Sequence, residues 1–422
     1  MTEITDLTQY MTRLGENAYQ ASTDLSLLST DQKNKTLELM AESLSDNKDN
    51  LLEANKKDLE KANEKGISNA LLDRLELNEE RLKSMINGLI SISKLPDPIG
   101  EITNLKPTPS GIKVSKMRVP LGVVGIVYES RPNVTADAAG LCLKSGNSCI
   151  LRGGTESINT NLSIYRSLLK GVEISDAPNK SIQLVETTDR EAVKKLLSMK
   201  EWVDVVIPRG GKGLVQLVSD EAKVPVIKHL DGICHVYIDE LCDETKAVSI
   251  SVNAKTYRFG ICGAMETLLV DKKIAKSILP KIYDEFIKEK VEMRGCSKTK
   301  EIISIVSASD EDWVTEYLAP IISIKVVDGL EEAINHINKF GSSHSDCIVT
   351  EDQAKAELFL NKVDSSSVMH NVPTCWADGY EYGLGAEVGI STDKFHARGP
   401  VGLEGLTSQK YLVKGQGELR GK

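Results

Sequence analysis

The stretch Leu121-Gly-Val-Val-Gly-Ile-Val-Tyr-Glu-Ser-Arg-Pro-Asn-Val-Thr-Ala-Asp-Ala-Ala-Gly-Leu-Cys-Leu-Lys-Ser-Gly-Asn-Ser-Cys-Ile-Leu-Arg152 decides the fold. Residues 123–127 and 149–151 are short, continuous apolar runs, the pattern of strands buried on both faces. Comparable runs recur at 182–185, 203–207 and 224–227, alternating with helical stretches such as 189–200. That rhythm predicts a parallel, doubly wound sheet. Such sheets bind ligands at the carboxyl ends of their strands. Cofactor contacts are therefore expected in the loops 129–133, 152–156, 208–212 and 228–232.

Upstream, Leu37, Met40, Ala41 and Leu44, then Leu82, Met85, Ile86 and Leu89, follow the spacing of amphipathic helices. The first hundred residues read as helical. Pro96, Pro98, Pro107 and Pro109, with Gly100 and Gly111, then interrupt helix and mark a first boundary. Downstream, apolar runs at 267–270, 321–327, 346–349 and 367–370 predict a second α/β domain. Residues 379–405 are loop-rich, with seven glycines.

The length of 422 residues suits two or three domains, and 41% hydrophobic with 27% charged residues is an ordinary globular composition. Lys+Arg 52 against Asp+Glu 61 leaves a net charge of −9, which argues against a nucleic-acid or anionic-membrane surface. The first twenty residues lack an apolar leader core, and no apolar run approaches the roughly 18 residues of a membrane span. A cytoplasmic protein is expected. Eight cysteines, none in C-x-x-C spacing, do not form a disulfide framework.

Among those cysteines, Cys262 stands apart in Asn253-Ala-Lys-Thr-Tyr-Arg-Phe-Gly-Ile-Cys-Gly-Ala-Met-Glu266. Lys255 and Arg258 precede it, and nearby cations favour a thiolate. Gly260 and Gly263 let the backbone turn and aim N–H groups at a reacting oxygen. A buried structural cysteine is the plainer alternative. Pro208-Arg-Gly-Gly-Lys-Gly213 follows one strand run and opens a helix, so its amides and cations could receive a phosphate; an ordinary strand-to-helix turn fits equally. The segment 152–156 invites the same two readings. No metal site is expected, because His229, His235, His336 and His344 show no ligand spacing. His229, Asp231, Cys234 and His235 read either as a polar cluster beside Cys262 or as satisfied loop residues. Ser/His/Asp hydrolysis lacks its G-x-S-x-G elbow.

Four motifs together resemble one family: 122–135, Asn253-Ala-Lys-Thr-x-Arg with Cys262-x-Ala-Met-Glu-Thr-Leu-Leu-Val270, 336–346, and 383–400 with its Gly-Leu-Gly-Ala-Glu-Val-Gly and His-Ala-Arg-Gly-Pro. They are similar to γ-glutamyl phosphate reductases, also called glutamate-5-semialdehyde dehydrogenases, of the aldehyde dehydrogenase superfamily. The resemblance covers nearly the whole chain. It implies an α/β aldehyde dehydrogenase-like fold: an NADPH-binding domain (1–100 and 120–231), a catalytic domain (232–400) and a small β oligomerisation arm (101–119 and 401–422). It also implies NADPH-dependent reduction of L-glutamyl 5-phosphate to glutamate 5-semialdehyde with release of phosphate, the second step of proline biosynthesis. A related acyl-phosphate or acyl-CoA reductase, or a non-catalytic homologue, are the rivals.

By that resemblance Cys262 is the nucleophile and Asn133 an oxyanion donor. Arg152 and Glu156 are assigned to the adenosine ribose or its phosphate; Arg209, Gly210, Gly211 and Lys212 to the cofactor phosphates; Glu316 to the nicotinamide ribose. Lys255, Arg258, His344 and Arg398 are candidates for the two anionic ends of the substrate. His229 stands where hydrolytic relatives carry a general-base glutamate, as suits an enzyme that must not hydrolyse its thioester. Gly263, Phe259, Phe340 and Cys375 replace residues usual in the family, where Cys375 stands in place of an arginine. A homo-oligomer is implied, with a hairpin near 101–119 pairing with a partner's C-terminal strand, and a separate glutamate 5-kinase supplies the substrate.

Overall fold

The computed structural model describes residues 6–105 and 108–420, without the side chains of 69 and 70. Residues 1–5, 106–107 and 421–422, which fall in the expected N-terminal and arm segments, lie outside them. The chain divides into two compact units, Met1–Lys228 with Leu384–Gly389 and Val401–Lys422, and His229–Gly383 with Ile390–Pro400.

The first unit is built on a four-stranded parallel sheet in the order Ile182–Leu184, Ser148–Arg152, Val123–Tyr128, Val205–Arg209. Every residue of Val123–Tyr128 and Ser148–Arg152 is buried, which is why they read as unbroken apolar runs. Helices Val134–Lys144, Ile158–Glu173, Glu191–Ser198 and Lys212–Glu221 follow the strands. Five further helices span Leu7–Leu25 to Glu79–Lys94. The second begins with a capping box, in which Ser29 and Gln32 exchange side-chain and backbone hydrogen bonds. Gly171 allows close packing: a Cβ there would lie 2.6 Å from the Met40 backbone. The run 224–227 is not a strand. Pro225 has no N–H to give, so only a bridge between Val226 and Val206 forms.

Lys113–Pro120 pairs antiparallel with Ile102–Asn104 and, along its whole length, with Thr407–Lys414. The two segments expected to form the arm thus pair within the chain, its own C-terminal strand lying against Lys113–Pro120. Intrachain closure leaves Thr407–Lys414 as an edge.

The second unit carries a seven-stranded parallel sheet in the order Val306–Ser307, Glu292–Gly295, Ile321–Val327, Met265–Asp271, Cys234–Ile238, Ser345–Val349, Ser367–His370. Its core packs Val236, Leu268, Ile278, Ile282, Phe286 and Ile324. Three of its strands escape the sequence reading. Glu292–Gly295 and Val306–Ser307 are polar strands at the sheet margin, and Cys234–Ile238 opens with Cys and His. The register between Cys234–Ile238 and Met265–Asp271 slips at Cys234/His235, so that Glu266 is skipped, a bulge of the kind that re-aims side chains.

Candidate active site

Helix Glu244–Thr256 is capped by Asp243, whose Oδ1 accepts from Lys246 N–H at 3.0 Å. The chain then turns through 257–264 before entering Met265–Asp271, and Ala264 N–H donates to Ile261 O at 3.0 Å to tighten that turn. Cys262, partly buried, sits on it. Its carbonyl is fixed from the neighbouring segment: the Cys234 thiol donates to Cys262 O at 3.1 Å. A Cβ at Gly232 would stand 2.1 Å from the same oxygen, so only glycine admits this approach. Gly232 N–H donates to Glu316 Oε1 at 2.9 Å, and Ile233 N–H to Ser342 Oγ at 2.8 Å. Glu316 is thus held beside the segment that supports Cys262.

Cys262 Sγ and one ring nitrogen from each of His229 and His344 lie within 4.8 Å of one another. The two imidazoles meet edge to face with centroids 5.3 Å apart. His229 Nδ1 lies 3.1 Å from Ile390 O. A carbonyl only accepts, so Nδ1 carries the proton and Nε2 the lone pair. His344 is buried, with Nδ1 2.9 Å from Ser345 Oγ. A thiol beside a basic imidazole is a recognised way to activate a nucleophile. Of the loop cluster read beside Cys262, His229 and Cys234 are brought to it, whereas His235 turns to Asp346, Nδ1 to Oδ1 at 2.9 Å.

The expected substrate cations have different surroundings. Lys255 is wholly buried, its Nζ 2.5 Å from the equally buried Glu266 Oε2. Burial lowers the Lys255 pKa and raises that of Glu266, each opposed by the partner's charge. The Lys255 charge therefore answers an internal carboxylate. Arg258 is exposed. Arg398 is half-buried and donates through Nη1 and Nη2 to Asp364 Oδ1 and O at 2.9 and 3.0 Å.

In the first unit, Arg152 and Arg209 end the two strands that flank Val123–Tyr128, in the set that the sequence reading expected to carry the cofactor. Arg152 is buried; its Nη1 donates to Gly153 O at 2.5 Å, while Nε has no partner among the described residues. Glu156 Oε1 accepts from the N–H and Oγ of Ser130, at 2.6 and 2.7 Å, holding that serine in a left-handed conformation (φ 39°). Gly210, Gly211 and Lys212 are exposed at the start of Lys212–Glu221, a helix without a side-chain cap or an acidic first turn. Gly211 N–H donates to Glu129 Oε2 at 2.9 Å, an anion already placed at this N-terminus. A helix start without a side-chain cap and two cations, Arg209 and Lys212, suit a dinucleotide's phosphates, although Glu129 holds one of its amides, and both Nη atoms of Arg152 are spent on the carbonyls of Gly153, Thr188 and Asp189. Asn133 is exposed; its Nδ2 donates to Asp137 Oδ2 at 2.8 Å. Burial pushes the Asp137 carboxyl up to about 6.

The model of the aldehyde dehydrogenase family matches residues 8–300 and 294–385. The chain belongs to the aldehyde dehydrogenase family. Among solved structures, a γ-glutamyl phosphate reductase from Thermotoga maritima is 43% identical, covering 97% of this chain and 99% of its own, with TM-score 0.95. One from Saccharomyces cerevisiae is 31% identical over 98% and 99%, with TM-score 0.54. An engineered glycolyl-CoA reductase with bound NADP+, at 16% identity over 96% of each chain and TM-score 0.67, shares the fold. The aldehyde dehydrogenase fold implies a nicotinamide cofactor.

Within this aldehyde dehydrogenase, two of the four departures from the expected motifs touch. A Cβ at Gly263 would come 3.2 Å from Thr374 O and 3.4 Å from Cys375 Cα, so the small residue matches the close passage of 374–375. Cys375 Sγ lies 3.6 Å from Asn253 Oδ1. Phe340 packs on His336 with centroids 4.6 Å apart, and Phe259 packs on the sheet core. No described helix is long and apolar enough to cross a membrane.

Proposed function

We propose that this chain catalyses the NADPH-dependent reduction of L-glutamyl 5-phosphate to L-glutamate 5-semialdehyde with release of phosphate, the second step of proline biosynthesis. The observation that carries the reading is 43% identity over 97% of the chain to a γ-glutamyl phosphate reductase. In this reading the Cys262 thiol passes its proton to an imidazole of the His229/His344 pair. The sulfur attacks the acyl carbon, the C–O bond breaks, and phosphate leaves with the electron pair, giving a thioester on Cys262. The nicotinamide, when bound, supplies the hydride that reduces this thioester. The resulting thiohemiacetal breaks its C–S bond, releasing the aldehyde and regenerating the thiolate. Asn133 Nδ2 and the Cys262 N–H hold the oxyanion; losing one such donor typically costs about 10²–10³ in turnover.

NADPH rather than NADH rests on the family resemblance, which assigns Arg152 and Glu156 to the ribose end, Arg209 to Lys212 to the phosphates and Glu316 to the nicotinamide side. Arg258, His344 and Arg398 are the groups from which the substrate's phosphate and α-carboxylate are held, whereas Lys255, buried and paired with Glu266, is spent on that side chain. A homo-oligomer is supported by the open edge of Thr407–Lys414, with Tyr411 and Val413 exposed, and the reading places it in the cytoplasm. A separate glutamate 5-kinase supplies the labile acyl phosphate, and co-purification without cross-linking tests whether the two associate.

The test is the reverse reaction: pyrroline-5-carboxylate and NADP+, with and without phosphate, followed by NADPH absorbance for the parent and Cys262→Ala. Phosphate-dependent turnover that vanishes in Cys262→Ala is expected. Phosphate-independent turnover, or none from a folded parent that still binds NADPH, overturns the reading.

A further inference from the structure

The His229–Cys262–His344 cluster has the composition of a binding site for a borderline-soft divalent cation. No ligand spacing in the sequence announces it, because the three residues are separated by 33 and 82 positions (262 − 229 and 344 − 262). Three features make it a metal site rather than a coincidence of side chains. First, the donor set is one thiolate and two imidazoles, the set that prefers Zn2+ over Mg2+ or Ca2+. Second, the donor atoms lie within 4.8 Å of one another, on segments held by Cys234, Gly232 and the seven-stranded sheet. With bonds of about 2.3 Å to sulfur and about 2.0–2.1 Å to nitrogen, small side-chain rotations close them on one ion. Third, the outer partners are in place. His229 Nδ1–H is spent on Ile390 O at 3.1 Å, which aims the Nε2 lone pair away from that carbonyl. His344 Nδ1 is oriented by Ser345 Oγ at 2.9 Å. Such second partners fix ring and tautomer in protein metal centres.

We propose that this cluster binds one Zn2+ reversibly through Cys262 Sγ and the two imidazoles, with water in the fourth position, and that the bound ion shuts off the enzyme by occupying its nucleophile. The same geometry that offers the thiol a proton acceptor offers a cation three converging lone pairs. Binding displaces the proton of the Cys262 thiol. The effect on turnover rests on the proposed role of Cys262, but the binding does not.

The probe is CoCl2, a spectroscopic stand-in for zinc, titrated into the full chain in chelator-free buffer. A near-ultraviolet sulfur-to-cobalt charge-transfer band is expected, saturating at one equivalent, displaced by ZnCl2 and absent from Cys262→Ala. One equivalent of Zn2+ is expected to slow iodoacetamide labelling of Cys262, read by peptide mass spectrometry, at least tenfold, with EDTA restoring it. His229→Ala and His344→Gln are each expected to weaken cobalt binding at least tenfold. If His344→Gln does not fold, His229→Ala, on a half-exposed ring, decides alone. A missing band, a band retained in Cys262→Ala, or unchanged affinity in folded His229→Ala overturns the inference. Metal binding without pyrroline-5-carboxylate turnover would refute the proposed reaction and leave this site standing; turnover without metal binding would do the reverse.

Discussion

Replacing Gly232 by alanine tests whether the nucleophile is positioned by one close backbone approach. The added Cβ would stand 2.1 Å from Cys262 O and 2.7 Å from its C and Cα, all backbone atoms that cannot swing aside. Ordinary contact begins near 3.4 Å, so the two segments must separate by 3.4 − 2.1 = 1.3 Å. That movement pulls Cys262 O from the Cys234 thiol at 3.1 Å and Gly232 N–H from Glu316 Oε1 at 2.9 Å. Overpacking of this kind costs about 1–3 kcal/mol of stability. A displacement of about 1 Å at a reacting group costs on the order of 10²-fold in rate, about 2.7 kcal/mol of barrier. Gly232→Ala should therefore lower kcat of the reverse reaction roughly 100-fold. Thermal melting and the alkylation rate of Cys262 should be measured on the same preparation. A folded variant with kcat within about twofold of the parent would falsify the positioning argument.

Two further outcomes follow from buried ionisable groups. Lys255→Met strands the Glu266 carboxylate, which then accepts, among the described residues, only from Leu318 N–H at 3.2 Å, and should cost about 3–5 kcal/mol in denaturant unfolding at pH 8. The loss should shrink at acid pH as Glu266 protonates, and Lys255→Met/Glu266→Met should recover much of it; a pH-independent loss would contradict the ion-pair account. His336, packed among His235, Trp313 and Phe340, is driven by burial from 6.5 down to about 3. A folded pKa below the unfolded one means that its contribution is intact above pH 6.5 and lost as pH falls towards 3, about 3 kcal/mol by pH 4. His336→Phe should flatten the stability profile over that window, and an unchanged slope would place the acid sensitivity elsewhere.

Buried parallel strands write themselves as apolar runs, so 123–127, 149–151, 321–327 and 367–370 were legible before any coordinates, and with them the α/β class. Polar margins such as Glu292–Gly295 were not, because half-exposed strands need no apolar signature. Pro225 misled in the other direction: its neighbours are apolar, yet the missing N–H denies them a ladder. At the site, the cations and glycines around Cys262 made it a candidate within a few residues of chain, beside the plainer reading of a buried structural cysteine. His229 and His344 were candidates too, but that their rings converge on Cys262 was beyond such reasoning.

By itself the sequence determined the periodicities, the motif that carries Cys262 and the family those motifs belong to, since each is a property of residues close in the chain. Only the tertiary structure decided that His229 and His344 converge on that thiol, that Lys255 is spent on Glu266, that Gly232 presses on the Cys262 carbonyl, and that the C-terminal strand closes its own chain's hairpin. These are encounters between residues far apart in sequence, and their partners are set by sheet order and strand register, which no local pattern encodes.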